Sequence, residues 1–98
     1  MAKVWFVPGD GTLAAYLSGE IDHHAAQMLR SEIDAQLDMR LPDLLTMDLS
    51  GVTFMDSSGA GLILGRGRRM TASGGRLTVQ NPPGQIKKML DLAHIAYL

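Results

Sequence analysis

The stretch LLTMDLSGVTFMDSSGAGLILGR, Leu44 to Arg66, constrains the fold more than any other part of the chain. Its first seven residues are a nearly continuous apolar run of strand length, which suits a central strand covered on both faces. After Met55 the period changes, and Ala60, Ile63, Leu64, Gly67 and Thr71 recur at helical spacing. A buried strand feeding directly into a helix implies a layered α/β arrangement.

The flanking sequence extends that pattern. KVWFV (Lys3 to Val7) is rich in β-branched and aromatic residues, PGDG (Pro8 to Gly11) has turn composition, and TLAAYLS alternates with Leu13, Ala15 and Leu17 on one face. Together they predict a hairpin. Asp22 then stands as a helix N-cap, followed by Ala25, Leu29, Ile33 and Leu37 at steps of four. Pro42 disfavours helical geometry at Leu41 and ends that helix.

SGG (Ser73 to Gly75) closes the helix that follows Met55, and RLTVQ (Arg76 to Gln80) predicts another strand. Asn81 serves as the expected cap of a last helix with prolines in its first turn and Ile86, Met89, Leu90 and Ala93 on its apolar face. IAYL (Ile95 to Leu98) adds an expected edge strand. The fold class is α/β: one domain over residues 1–98, a mixed β-sheet with packed helices, in the order β-β-α-β-α-β-α-β.

Composition excludes several classes of function. No cysteine means no disulfide, thiolate metal site or redox role. No apolar run approaches membrane length, and Met1 to Pro8 lacks the basic start and apolar stretch of a signal peptide, so a cytoplasmic location without membrane attachment is expected. The net charge of −1 hides an asymmetry: residues 1–50 hold eight of the ten acids, whereas six of the nine bases lie beyond them. Those six are dispersed and have no aromatic residue among the arginines. They read as a solvated helix face rather than a nucleic-acid surface, with a charged protein-binding rim as the alternative.

The motif MDSSGAG is where chemistry is expected. Asp56 or Ser57 caps the helix, accepting a hydrogen bond from an otherwise unpaired N–H, but that leaves further polar groups unused. A phosphate on Ser57 would add roughly −1.5 to −2 charge. At a helix N-terminus the fold should tolerate it, while a partner docking there would meet new bulk and tightly held water. The pattern suits a switch more than a catalyst. Neither serine has the glycine two residues earlier that a nucleophile elbow needs, and nothing in the sequence brings His23, His24 or His94 to Ser57 as a base. The glycine spacing and terminal Lys-Ser/Thr of a P-loop are missing too.

DHH (Asp22 to His24) reads as a cap with two polar first-turn residues, because adjacent helical residues diverge by about 100° and make poor joint metal ligands. Met28, Met47 and Met89 stand at apolar positions and read as core filler. No cofactor or metal is expected.

SGEIDHHAA and LLTMDLSGVTFMDSSGAGLILGR, with the element order, resemble the STAS-domain anti-sigma factor antagonists of sporulating and related bacteria. The resemblance spans essentially the whole chain. It implies a non-enzymatic regulator that binds an anti-sigma factor of the GHKL serine kinase type and displaces a sigma factor. It also implies that the kinase phosphorylates the first serine of D-S-S-G, here Ser57, and that a serine phosphatase resets the product. Asp56, Ser58 and Gly59 would shape the acceptor loop, and Asp22 and His23 would join the kinase contact. Arg66 either reaches that interface or is solvated, and the solvated position is preferred. The alternative is a STAS accessory subunit of a lipid-transport ATPase complex or of a stress-signalling assembly. Relatives commonly continue into a further C-terminal helix, so this is a compact or a shortened member. Gly67, on the apolar face, is expected to pack closely against a neighbour; Gly65 has no such account.

Overall fold

The computed structural model describes residues 1–98. Alternating small and apolar residues build a hairpin first: β1 (Lys3–Pro8) pairs antiparallel with β2 (Thr12–Ile21), Trp5 opposite Tyr16 and Phe6 opposite Ala15. The two rings stack with centroids 5.5 Å apart. From β2 onward the chain crosses over twice through helices. α1 (His23–Arg40) leads to β3 (Leu44–Met55), and α2 (Ser57–Ala72) leads to β4 (Arg76–Gln80). Both crossovers produce parallel pairs, β2 with β3 and β3 with β4, so the sheet is mixed and ordered β1-β2-β3-β4. The chain then enters α3 (Gly84–Leu92).

β3 is interior, as the apolar run predicts, but only one of its faces is fully covered. On that face Leu45, Met47 and Leu49 join Leu13, Ala15 and Leu17 of β2, with Leu29, Ile33 and Leu37 from α1 and Ile63 and Met70 from α2. Each such aliphatic side chain contributes about 1.5–3 kcal/mol through burial. On the other face Thr46 and Thr78 stay half-buried and hydrogen-bond to each other. Asp48 is the polar exception, buried beneath Ser50 and Asn81. Burial alone would raise its pKa. The Ser50 hydroxyl and amide and the Asn81 amide, all donating to its carboxylate, outweigh that and hold the pKa below the usual value.

Several local expectations change. Asn81 does not cap α3: its backbone is left-handed, its side chain donates to Asp48 at 2.8 Å, and Pro83 takes the cap position. Ile95 to Leu98 forms no strand, because only Leu98 pairs with β4, donating to the Val79 carbonyl and accepting from the Asn81 amide. Met28 and Leu64 are exposed, since the buried lines run through Ala26 and Leu29 on α1 and through Ala60 and Ile63 on α2. Leu41 ends α1 in the left-handed conformation, which removes it from helical geometry ahead of Pro42. Gly67 does approach a neighbour: a Cβ there would sit 3.4 Å from the Leu77 side chain. No helix is long and apolar enough to cross a membrane.

Candidate functional site

Strand register brings the two sequence motifs together. β2 is longer than its alternation suggests and runs to Ile21, which pairs with Met55 at the end of β3. That extension needs Gly19, whose φ of +86° is left-handed and whose missing Cβ would lie 2.3 Å from the Met1 carbonyl oxygen. The residues after the paired ends, Asp22 and Asp56, are the N-caps of α1 and α2. Both helix starts therefore stand side by side at the carboxyl edge of parallel strands, where α/β folds place their functional groups.

The two caps are built alike. Asp22 has extended backbone and its Oδ1 accepts from the Ala25 amide at 2.9 Å. Asp56 has the same backbone and its Oδ1 accepts from the Ser58 amide at 2.8 Å. Asp56, rather than Ser57, is thus the cap of α2. Its carbonyl also accepts from the amides of Gly59 and Ala60. Ser57 is the first residue of α2 and is exposed, whereas Ser58 is half-buried. With three first-turn amides already engaged by Asp56, a charge on Ser57 would meet the helix dipole and solvent rather than a set of free N–H donors.

Gly59 is buried for a steric reason. A Cβ would lie 2.4 Å from the Met55 Cγ and 3.2 Å from the Ile21 Cγ2. Glycine lets α2 start hard against the ends of β2 and β3, which sets the position of Ser57 at the rim.

Arg66 stands apart from this cluster. Nine residues along α2, it lies about 13 Å from Ser57. It is buried, not solvated: 5% exposed, with its guanidinium NH1 donating to Asp34 Oδ2 at 3.1 Å. Asp34 also faces Arg69 at 3.3 Å and Arg30 at 3.7 Å, while Arg69 binds Asp38 as well. Acids of the first half of the chain thereby meet bases of the second, and the charge asymmetry of the sequence becomes an α1–α2 ion-pair network. Burial draws the Arg66 pKa below its ordinary value; Asp34 opposes this, and Arg30, Arg69 and Arg68 add to it.

A groove of about 470 Å³ joins the two regions, running from His23 and Ser58 at the rim to Arg66. Its other polar walls, Gln27, Arg30 and Arg68, are not singled out by any sequence motif, because only the packing of α1 on α2 assembles them. No group of three or more His, Asp or Glu has the arrangement to hold a metal ion.

The family model described as STAS domain matches residues 8–97. An anti-sigma F factor antagonist of Paenibacillus polymyxa is 39% identical over 85 residues, covering 85% of this chain and 71% of that protein. The structure of the anti-sigma factor antagonist SpoIIAA in its unphosphorylated form superposes with a TM-score of 0.84 at 28% identity, covering 98% of this chain and 88% of that one. The Bacillus cell fate determinant SpoIIAA in the phosphorylated form gives 0.76, also at 28% identity, over 98% and 91%.

Proposed function

The chain belongs to the STAS domain family of anti-sigma factor antagonists, and from that premise we propose that it is a binding switch controlled by phosphorylation of Ser57. The unmodified protein docks on an anti-sigma factor that is a GHKL-type serine kinase and displaces a sigma factor. The kinase transfers phosphate to Ser57, the modified protein no longer docks, and a serine phosphatase restores it. The protein needs no catalytic group of its own for this cycle.

The observation that carries the reading is the exposure of Ser57 at the start of α2, beside a capping carboxylate that already satisfies the helix end. A kinase can reach the hydroxyl without unfolding anything. Phosphate adds charge where Asp56 already places one, so the modified rim presents clustered negative charge under tightly held water. A partner seated on Asp22, His23, Asp56, Ser57 and Ser58 would have to strip that water and accept that charge, while Gly59, buried against Met55 and Ile21, shapes this surface from beneath rather than touching the partner. Arg66 belongs to this surface only through the groove, and its part is to hold α1 against α2 beneath the contact. A relative at 28% identity whose structure is of a phosphorylated form supports a modification that the fold accommodates.

The test is displacement. Added to a purified complex of kinase and sigma factor with ATP, Ser57→Ala should release sigma factor and keep it released, while Ser57→Asp should release it at least tenfold less well. Equal release by Ser57→Asp and the parent would contradict the reading.

A further inference from the structure

A second groove, of about 280 Å³, lies between the end of β3 and α3. Phe54 and Met55 of the strand form one wall, and Gln85, Lys88, Met89 and Leu92 of the helix form the other. Those four helical residues recur at i, i+3, i+4 and i+7, so they share one stripe of α3. Ile86 and Leu90 are the residues the helix buries in the core. The Gln85 side chain donates to the Thr53 carbonyl at 3.3 Å and fixes the start of the stripe to the strand. The rest of the stripe is left partly uncovered: Met89 is half-buried and Leu92 is 78% exposed, beside Phe54 at 48%. An apolar side chain standing alone on a surface needs no explanation, but three converging on one groove mark an interaction site.

The groove is continuous with the Ser57 rim. Met55 lines it and also supports the start of α2, where a Cβ on Gly59 would lie 2.4 Å from the Met55 Cγ. Phe54 is only three residues before Ser57, at most about 11 Å away along the chain. A stable protein interface takes roughly 800 Å² and 20–30 residues from each partner. The rim of Asp22, His23, Asp56, Ser57 and Ser58 is much smaller and entirely polar. Interface centres draw on aromatic residues and methionine, with polar groups around them. Phe54, Met89 and Leu92 supply that centre, and nothing at the rim does.

The charges beside the groove are open to a partner. Lys88 on α3 takes part in no ion pair, and neither does Glu20, which stands opposite Phe54 on β2. Asp22 and Asp56 extend the acidic side along the strand ends. A complementary surface carries an apolar side chain with a carboxylate towards α3 and a base towards the strand ends.

We propose that the groove between Phe54 and Leu92 is the apolar anchor by which the anti-sigma factor holds this protein while its kinase site reaches Ser57. The partner inserts an apolar side chain between Phe54 and Leu92, its carboxylate meets Lys88, and its base meets Glu20. This rests on the reading that a kinase docks at the Ser57 rim. The anchor lies outside the reacting hydroxyl and its capping carboxylate, so it sets affinity and leaves the transfer step alone.

The experiment measures binding of the full chain to a purified GHKL anti-sigma kinase with ADP, and steady-state phosphorylation with ATP. Phe54→Ala with Leu92→Ser should raise Kd and KM at least tenfold and leave kcat within twofold. Leu92→Ser alone, at a position too exposed to disturb folding, should raise KM at least threefold. Lys88→Glu should slow association, most strongly at low salt. Met39→Ser, 65% exposed in the last turn of α1, should leave Kd and KM within twofold. If the parent is phosphorylated on Ser57 and the Phe54 and Leu92 substitutions leave KM unchanged, the anchor is overturned and the Ser57 switch stands. If the parent binds no such kinase, both fall. A parent that sediments as a dimer, with the double variant a monomer, would give the groove to a second copy of the chain and overturn the proposal.

Discussion

Gly59→Ala should destabilise the protein, although alanine is the better helix former. The gain in helix propensity is about 0.5–1 kcal/mol in a helix interior and falls at the low end here, because Gly59 is only the third residue of α2. Against it stands a new methyl 2.4 Å from Met55 Cγ, 3.1 Å from Met55 Sδ and 3.2 Å from Ile21 Cγ2. Met55 is 6% exposed and Ile21 is fully buried, so neither has free space into which to withdraw. Overpacking of this kind costs typically about 1–3 kcal/mol. The net loss is on the order of 1–2 kcal/mol, or roughly 4–10 °C in Tm for a domain of this size. Gly61→Ala, two residues along the same helix, meets nothing and should gain about 0.5–1 kcal/mol. Thermal and urea unfolding followed by circular dichroism compares the pair. If both substitutions raise Tm alike, α2 does not start against Met55 and Ile21, and the placement of Ser57 at the rim loses its support.

Ser57→Asp should remain folded, with stability within about 0.5 kcal/mol of the parent in urea unfolding, because the side chain is exposed. Unfolding of this variant would refute the argument that the helix start tolerates charge. Asp34→Ala should cost roughly 3 kcal/mol by leaving Arg66 buried without its carboxylate, and adding Arg66→Met should recover much of that loss. The depressed pKa of Asp48 contributes stability that is fully present above the unfolded value of about 3.9 and is lost as pH falls through the lower folded value. Asp48→Asn should therefore weaken the fold at pH 7 by about 1–3 kcal/mol and flatten its dependence on pH below 4, measured by urea unfolding across that range.

The element pattern was legible because the hydrophobic period changes abruptly at Asp22 and Asp56, and both changes coincide with a capping carboxylate. The apolar alternation of β2 was legible for the same reason. What the local pattern hid depends on distant partners. Asn81 has the composition of a cap, yet Asp48, 33 residues earlier, claims its side chain. Arg66 reads as solvated because arginine usually is, and only the packing of α1 on α2 brings Asp34 to it. Ile95 to Leu98 has strand composition, but its backbone meets β4 at Leu98 alone. The juxtaposition of Asp22 and His23 with Ser57 rests on the Ile21–Met55 register, which no propensity along one strand encodes. The groove walls were invisible for the same reason.

Phosphate mapping after incubation with a GHKL anti-sigma kinase and ATP tests the central claim most directly. Intact-mass and peptide mass spectrometry should find one added phosphate, located on Ser57 and absent from Ser57→Ala. Transfer to another residue, or no transfer from a kinase that binds the protein, would contradict the claim and leave Ser57 as no more than the first residue of α2.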